Sequence, residues 1–425
     1  MVQSENRSFT IGGMSPMLFG VAMALVIAAV LLGKLPKGMI GAFAVMMTLG
    51  AIMDVIGSKT PLVNEYLGGA PLVCIFGTAA LVYFGIMPED TAKIVSDFMK
   101  GGGFLNFYIA ALICGSILGI SSDLLIKAGV RYAFPLIAGV VVACGLAAGA
   151  AGLMGYGWQQ GIMHIAMPIM GGGMGAGAVP MAQIFSSVTK METKEILSIL
   201  IPALALGNVM SIVAAGLLDK LGKMKPSLTG NGHLMKDFKV EKEAEMVPNL
   251  EMMGTGITVS CLFFVLGNLL NKFVPMIHGY ALMIIAVAFC KIFDLIPEIV
   301  QKSCNMWYKF VAKNFTAALL VGIGVAYTDL GAVINAISVQ YVVLVAVVVL
   351  GAVIGSGFAG MMVGFNFVES ALTAGLCMSN MGGTGDVAVL SAAKRMELMP
   401  FAQISSRLGG ALILIMVSLI LPILG

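Results

Sequence analysis

Arg407 is the residue best placed by type and context to do chemistry in this chain. It lies in Gln403-Ile404-Ser405-Ser406-Arg407-Leu408-Gly409-Gly410, inside the last apolar run. A charge within such a run is costly and marks a functional site by default. A guanidinium presents a planar fork of donors that fits a carboxylate bidentately. Its partner is either a substrate carboxylate or a protein one, with Glu369 and Asp386 as the protein alternatives. Nearby in sequence, Ser379, Asn380, Thr384, Ser405 and Ser406 supply neutral oxygens. Hard cations such as sodium take ligands of that type, so one region could hold an anion and a coupling cation.

Two glycine-rich breaks have to position these groups. One is Met170-Gly171-Gly172-Gly173-Met174-Gly175-Ala176-Gly177-Ala178-Val179-Pro180, and the other is Cys377-Met378-Ser379-Asn380-Met381-Gly382-Gly383-Thr384-Gly385-Asp386. Interrupted apolar segments at matching places in two halves point to a transporter's binding site. Backbone that leaves the helix at membrane depth must lie inside protein or beside a wet cavity. Freed amides at a half-helix N-terminus can face an anion, and freed carbonyls can face a cation.

The remaining chain reads as an all-α polytopic membrane protein. Of 425 residues, 59% are hydrophobic and only 11% charged, far below the roughly 25% charged residues of soluble domains. The spans predicted by length and apolarity are Met17–Leu32, Gly38–Ile56, Ala70–Met87, Phe104–Ile120, Ala133–Met154, Ile196–Leu218, Met252–Leu270, Ile277–Ile296, Phe310–Tyr327, Tyr341–Val363 and Phe401–Leu424. With the two glycine-broken segments read as re-entrant, the chain has eleven crossings and two hairpins. The N-terminal run lacks a cleavage-site pattern and is read as a retained helix. Gly145-Leu146-Ala147-Ala148-Gly149 and Gly351-Ala352-Val353-Ile354-Gly355 have the spacing of close helix contacts.

Most of the 24 Lys and Arg residues fall on one side of this topology, among them Arg7, Lys59, Lys302, Lys309, Lys313, Arg395 and those of the polar stretch 219–251. That bias places the N-terminus in the cytoplasm and the C-terminus outside. Asp54, Asp123, Lys291, Asp294, Glu298 and Asp329 fall near span ends and read as interfacial.

The chain also repeats itself. Leu105-Asn106-Phe107 precedes a span ending at Asp123, and Lys313-Asn314-Phe315 precedes one ending at Asp329. Lys190-Met191-Glu192 follows the first glycine break, and Arg395-Met396-Glu397 the second. With five crossings per half after an extra first helix, the second half enters from the opposite face, an inverted repeat. The organisation expected is 1–37 as tail and extra helix, 38–218 as the first repeat, 219–251 as a cytoplasmic linker and 252–425 as the second repeat.

Other function classes find little support. The net charge of +3 gives no nucleic-acid footprint. Seven scattered cysteines and three dispersed histidines form no disulfide framework or transition-metal site. No Ser/His pair or H-E-x-x-H array suggests an enzyme, and the 33 methionines read as packing residues. A sodium-pumping membrane subunit of a decarboxylase complex remains an alternative to a self-contained carrier, as does a passive channel.

The first glycine motif from Ile169 to Pro180, the Asn380–Asp386 stretch and the Gln403–Gly410 run resemble signatures of the bacterial 2-hydroxycarboxylate transporters. The likeness runs from Gly68-Gly69-Ala70-Pro71 to Gly410. The resemblance implies a homodimer in the bacterial inner membrane, working by an elevator motion. The coupling ion would be sodium, or a proton in its place, with no other cofactor, and the cargo would be malate, citrate or a lactate-like acid, by symport or exchange. It further implies that Arg407 holds a substrate carboxylate, beside Gly175, Gly383 and Thr384. Sodium ligands would map to Ile169, Gly172, Cys377, Asn380, Thr384 and Ser406. Citrate-carrying members have Asn where Met174 stands and Arg where Met381 stands. Both positions belong to the substrate site, and their loss of polarity favours a smaller or less charged 2-hydroxy acid than citrate.

Overall fold

The computed structural model describes residues 9–61, 63, 70–119, 122–235, 247–275, 277 and 279–424. Arg7, the Gly68–Gly69 pair and residues 236–246 of the linker lie outside the described residues, as does the side chain of Asp123. The described chain is helical, apart from a single isolated bridge between Ile11 and Met14.

Seven helices are long and apolar enough to cross a membrane: Met39–Lys59, Arg131–Leu153, Thr193–Met224, Leu250–Phe273, Glu298–Tyr327, Val339–Met362 and Phe401–Pro422. An eighth is obtained if Glu89–Met99 and Phe104–Leu118, bent by 42°, count as one span. Three of the other predicted spans correspond to shorter apolar helices: Pro16–Leu31, Val73–Tyr83 and Gly279–Ile292. By length and composition, seven to eight helices among the described residues can thus cross a membrane.

Several predicted boundaries move. The span predicted at Phe310–Tyr327 begins at Glu298, so Lys302 and Lys309 stand on a helix and not in a loop. The helix predicted to end at Leu218 continues to Met224, carrying Asp219 with it out of the linker. The helix from Ala70 stops at Tyr83, short of Met87, because Gly85 turns the chain with φ +68.

The helices sort into two bundles by their contacts. One holds Met39–Lys59, Glu89–Met99, Phe104–Leu118, Leu250–Phe273, Gly279–Ile292 and Glu298–Ala326. The other holds Ser122–Leu153, Thr193–Met224, Val339–Met362, both glycine-broken segments and the C-terminal helix. Each bundle thus draws helices from both halves of the sequence. Small residues set the closest approaches. A Cβ on Gly351 would lie 2.8 Å from the Cα of Ala143, and one on Gly355 would lie 2.6 Å from the carbonyl oxygen of Ala138. A Cβ on Gly145 or Gly149 would meet nothing within 4 Å, so the glycines of the second motif, and not those of the first, set a close helix contact.

Candidate functional site

The two glycine breaks build the centre of the second bundle. In the first, a helical arm with a π-helical turn at Gly161–Ala166 runs to Ile169, and a second arm begins at Met174. In the second, the π-helical turn is Ala371–Leu376 and the return helix is Gly383–Ala392. Such turns, one residue wider than an α-turn, recur at functional positions in helices. A further π-helical turn, Ser405–Gly409, carries Ser406 and Arg407.

The tips of the two breaks touch one another. Gly172 and Gly382 have φ +74 and +84, a left-handed conformation that residues with a Cβ rarely adopt. A Cβ on Gly382 would lie 3.2 Å from the carbonyl oxygen of Gly172, and one on Gly173 would lie 3.0 Å from that of Met381. Gly410 closes the other side, where a Cβ would lie 2.8 Å from the carbonyl oxygen of Gly171. Glycine is required here for both backbone conformation and close approach.

Polar groups fix the second tip. The Asn380 amide donates to Asp386 at 3.0 Å, and its oxygen accepts from the Gly382 N–H at 2.7 Å. The Ser406 hydroxyl donates to the other Asp386 oxygen at 3.0 Å. Asn208, on Thr193–Met224, accepts from the Met381 N–H at 3.0 Å. One turn on, the Ser211 hydroxyl donates to the Ser379 carbonyl at 2.8 Å. The first break rests on the same helix, with Ile169 packed over Gly207. Tyr132 pairs its hydroxyl with Ser405 at 2.6 Å and so braces the Ser405–Gly409 turn.

A cavity of about 910 Å³ lies between the bundles. From the second bundle it is lined by Gly172, Gly173, Met174, Gly175, Met381, Gly382, Gly383, Asp386, Ser406 and Arg407. From the first it is lined by Asp54, Tyr108, Ser116, Tyr308, Lys313 and Asn314 among others. Asp54, predicted to be interfacial, is therefore a wall residue. The structure thus brings Met174, Gly175, Met381, Gly383 and Arg407 to one wall, together with Gly172 and Ser406 from the predicted cation set. Ile169, Cys377 and Asn380 are wholly buried and off the wall. Thr384 lies in the first turn of Gly383–Ala392, but its side chain is not among those described.

Arg407 is half-buried and points across the bundle boundary. Its Nη2 donates to the Tyr308 hydroxyl at 3.3 Å, and its guanidinium carbon stands 5.0 Å from the centre of that ring. Among the described residues no carboxylate lies within ion-pair distance of it. Of the two protein partners considered, Asp386 is bonded to Asn380 and Ser406, and Glu369 is paired with Arg395 at 3.1 Å. The open fork of donors on a wet wall is suited to a carboxylate brought from outside.

Sequence reasoning missed Asn208 and Tyr308. A lone Asn within an apolar run was the available signal for Asn208; Tyr308 was hidden by the misplaced start of its helix.

The model of the 2-hydroxycarboxylate transporter family matches residues 11–419. The chain is 39% identical to the "Na(+)-malate symporter" of Bacillus subtilis over 412 residues, covering 95% of this chain and 91% of that one. It is 39% identical to a malate transporter of Lactococcus lactis, over 95% of this chain and 96% of the relative. It is 37% identical to the citrate/sodium symporter of Klebsiella pneumoniae, over 98% of this chain and 96% of the relative.

Proposed function

Because the chain belongs to the 2-hydroxycarboxylate transporter family, we propose that it is a secondary carrier that moves a 2-hydroxycarboxylate across the bacterial inner membrane together with sodium. The observation that carries this reading is Arg407, unpaired with any described carboxylate, on the wall of a cavity formed where two glycine tips meet. The preferred substrate is malate. Met174 and Met381 offer no charge or amide to a third carboxylate, and relatives at 39% identity are named for malate.

Asp386 supports cation coupling. Its carboxylate is fully buried, bonded to the Asn380 amide and the Ser406 hydroxyl, and takes part in no ion pair among the described residues. A buried anion of this kind is costly unless a positive charge joins it. Sodium beside the tip carbonyls, Asn380 and Ser406 would supply that charge. A proton on Asp386 would also relieve it, which is the second reading.

The two-bundle organisation supports an alternating-access carrier of the elevator kind. The bundle holding both tips would move against the other, with the glycine-broken segments as re-entrant hairpins and eleven crossings in two inverted repeats. A homodimer, a cytoplasmic N-terminus and an external C-terminus complete the reading.

The test is uptake of labelled malate, citrate and lactate into proteoliposomes under separately imposed sodium and proton gradients. Malate uptake driven by the sodium gradient is expected. Drive by the proton gradient alone would replace sodium with a proton. No saturable uptake of any of the three acids would sink the carrier reading.

A further inference from the structure

Beside the first glycine tip the boundary between the two bundles is apolar. A Cβ on Gly175 would lie 3.2 Å from the Tyr108 ring, 3.4 Å from Leu319 and 3.9 Å from Leu112. Apolar contact is non-directional and sets no single position along such a boundary. Away from the cavity, a directional bond crosses it. Tyr280, in the first turn of Gly279–Ile292, reaches Gln183 on Val179–Thr189, the helix that continues the first glycine break. The same hydroxyl meets Asn106 on Phe104–Leu118 at 2.6 Å. Tyr280 and Asn106 stand in one bundle and Gln183 in the other. None of the three lines the cavity, so none is a substrate contact there.

The Tyr280 ring is fixed within its own bundle. The Phe264 ring stands 6.0 Å away, centre to centre. A Cβ on Gly267 would lie 2.5 Å from the carbonyl oxygen of Gly279, so Gly279–Ile292 sits tightly against Leu250–Phe273. The hydroxyl is the part that reaches across. A phenol has one proton to give and lone pairs to receive another. Between two amides it donates to one and accepts from the NH2 of the other. If the bundles part here, Asn106 stays beside the hydroxyl and keeps it satisfied, and Gln183 alone gives up its bond. A displacement of a few ångströms is enough to break it.

We propose that the Gln183–Tyr280 bond is a latch that holds the bundle carrying the glycine tips in its present position and opens before that bundle moves. The proposal rests on the carrier reading above and deepens it, by naming a contact that sets the balance between positions. A bond made in one state alone biases the equilibrium by its own net worth. For a side-chain bond between membrane helices that is about threefold, and about tenfold at the upper end.

The experiment measures exchange of labelled malate with saturating malate on both sides of proteoliposomes, in the presence of sodium. The proteins are the full-length wild type, Gln183→Leu, Tyr280→Phe, the double variant and Asn106→Leu. Gln183→Leu is expected to raise the exchange rate about threefold, and Tyr280→Phe to raise it by a similar factor. The double variant should rise no further, because one bond can be lost only once. Asn106→Leu removes a bond that stays within one bundle; it should lower the midpoint of thermal inactivation and leave the rate near that of the wild type. An unchanged or lower rate in Gln183→Leu would overturn the proposal, as would factors that multiply in the double variant. So would a rise in Asn106→Leu equal to that in Gln183→Leu, which would show a loosened bundle and no latch. Failure of the wild type to exchange malate would instead remove the carrier reading, and this inference with it. Gln183 is half-buried and Tyr280→Phe keeps the ring against Phe264, so both single variants are expected to fold, which their thermal midpoints check.

Discussion

Arg407 and Tyr308 join the two bundles: the guanidinium lies 5.0 Å from the ring centre and donates to the ring's hydroxyl at 3.3 Å. A cation over an aromatic face gains about 0.5–2 kcal/mol, depending on how dry the site is. Tyr308 therefore holds the guanidinium in place before substrate arrives. Arg407→Ala is expected to raise the malate KM by about tenfold or more, or to abolish uptake, through loss of a charge-assisted bond. Tyr308→Leu should raise KM by less, and Tyr308→Phe, which keeps the ring, by least. Uptake kinetics of the three variants rank them. Equal KM in Arg407→Ala and wild type would remove Arg407 from the site.

Gly382 and Gly383 are neighbours with opposite tolerances. Gly382 has φ +84 and faces the Gly172 carbonyl, whereas a Cβ on Gly383 meets nothing within 4 Å. Left-handed backbone costs a residue with a Cβ about 1–2 kcal/mol before any crowding is counted. Gly382→Ala should lower the midpoint of thermal inactivation and stop uptake. Gly383→Ala should leave that midpoint near the wild type and act only through the narrowed cavity, on KM. The same loss of thermal stability in both would undo the argument from the tips.

Asn208 secures the second tip through its bond to the Met381 N–H at 3.0 Å. Asn208→Ala leaves that buried donor unpaired, a cost of about 1–3 kcal/mol. The strain falls on the tip that carries Asn380 and Asp386. The expected readout is a higher sodium concentration for half-maximal uptake, measured at saturating malate. Unchanged sodium dependence would make Asn208 a packing residue only.

The contrast between Arg407 and Tyr308 shows what hydropathy can reveal. Arg407 was legible because it interrupts an otherwise apolar run, and the glycine breaks stood out for the same reason. Tyr308 was not, because its helix alternates between a buried face, at Ser303, Cys304, Met306, Trp307 and Val311, and polar residues at Lys302, Lys309, Lys313 and Asn314. A helix that lines a wet cavity keeps polar groups at membrane depth, so an apolar window truncates it and the rest reads as loop. Asn208 failed differently. Its role depends on Met381, which is distant in sequence and meets it only in the folded chain. The order of segments was legible along the whole chain; the sorting of helices into two bundles, which creates the cavity, is a tertiary fact.

The last prediction concerns the base of the second glycine-broken segment. Arg395 donates to Glu369 at 3.1 Å, to Asp219 at 2.8 Å and to Thr229 at 3.1 Å. Glu369, wholly buried, also accepts from Thr229 at 2.7 Å and from the amides of Gly230 and Gly232 at 2.9 and 3.1 Å. Both ends of the segment are thus tied to the Thr193–Met224 helix and to the chain that follows it. Arg395→Met strands the buried Glu369 carboxylate, and breaking a buried pair in this way costs about 3–5 kcal/mol. It should lower the midpoint of thermal inactivation and speed proteolysis within residues 225–235. Replacing both partners with apolar residues removes the stranded Glu369 charge, and Asp219 keeps its bond to Lys223 at 2.6 Å. Arg395→Met with Glu369→Leu should therefore be more stable than Arg395→Met alone, despite carrying one more substitution. A double variant less stable than the single would mean that the Glu369 bonds to Thr229, Gly230 and Gly232 outweigh its ion pair, and that the carboxylate serves chiefly to hold the linker.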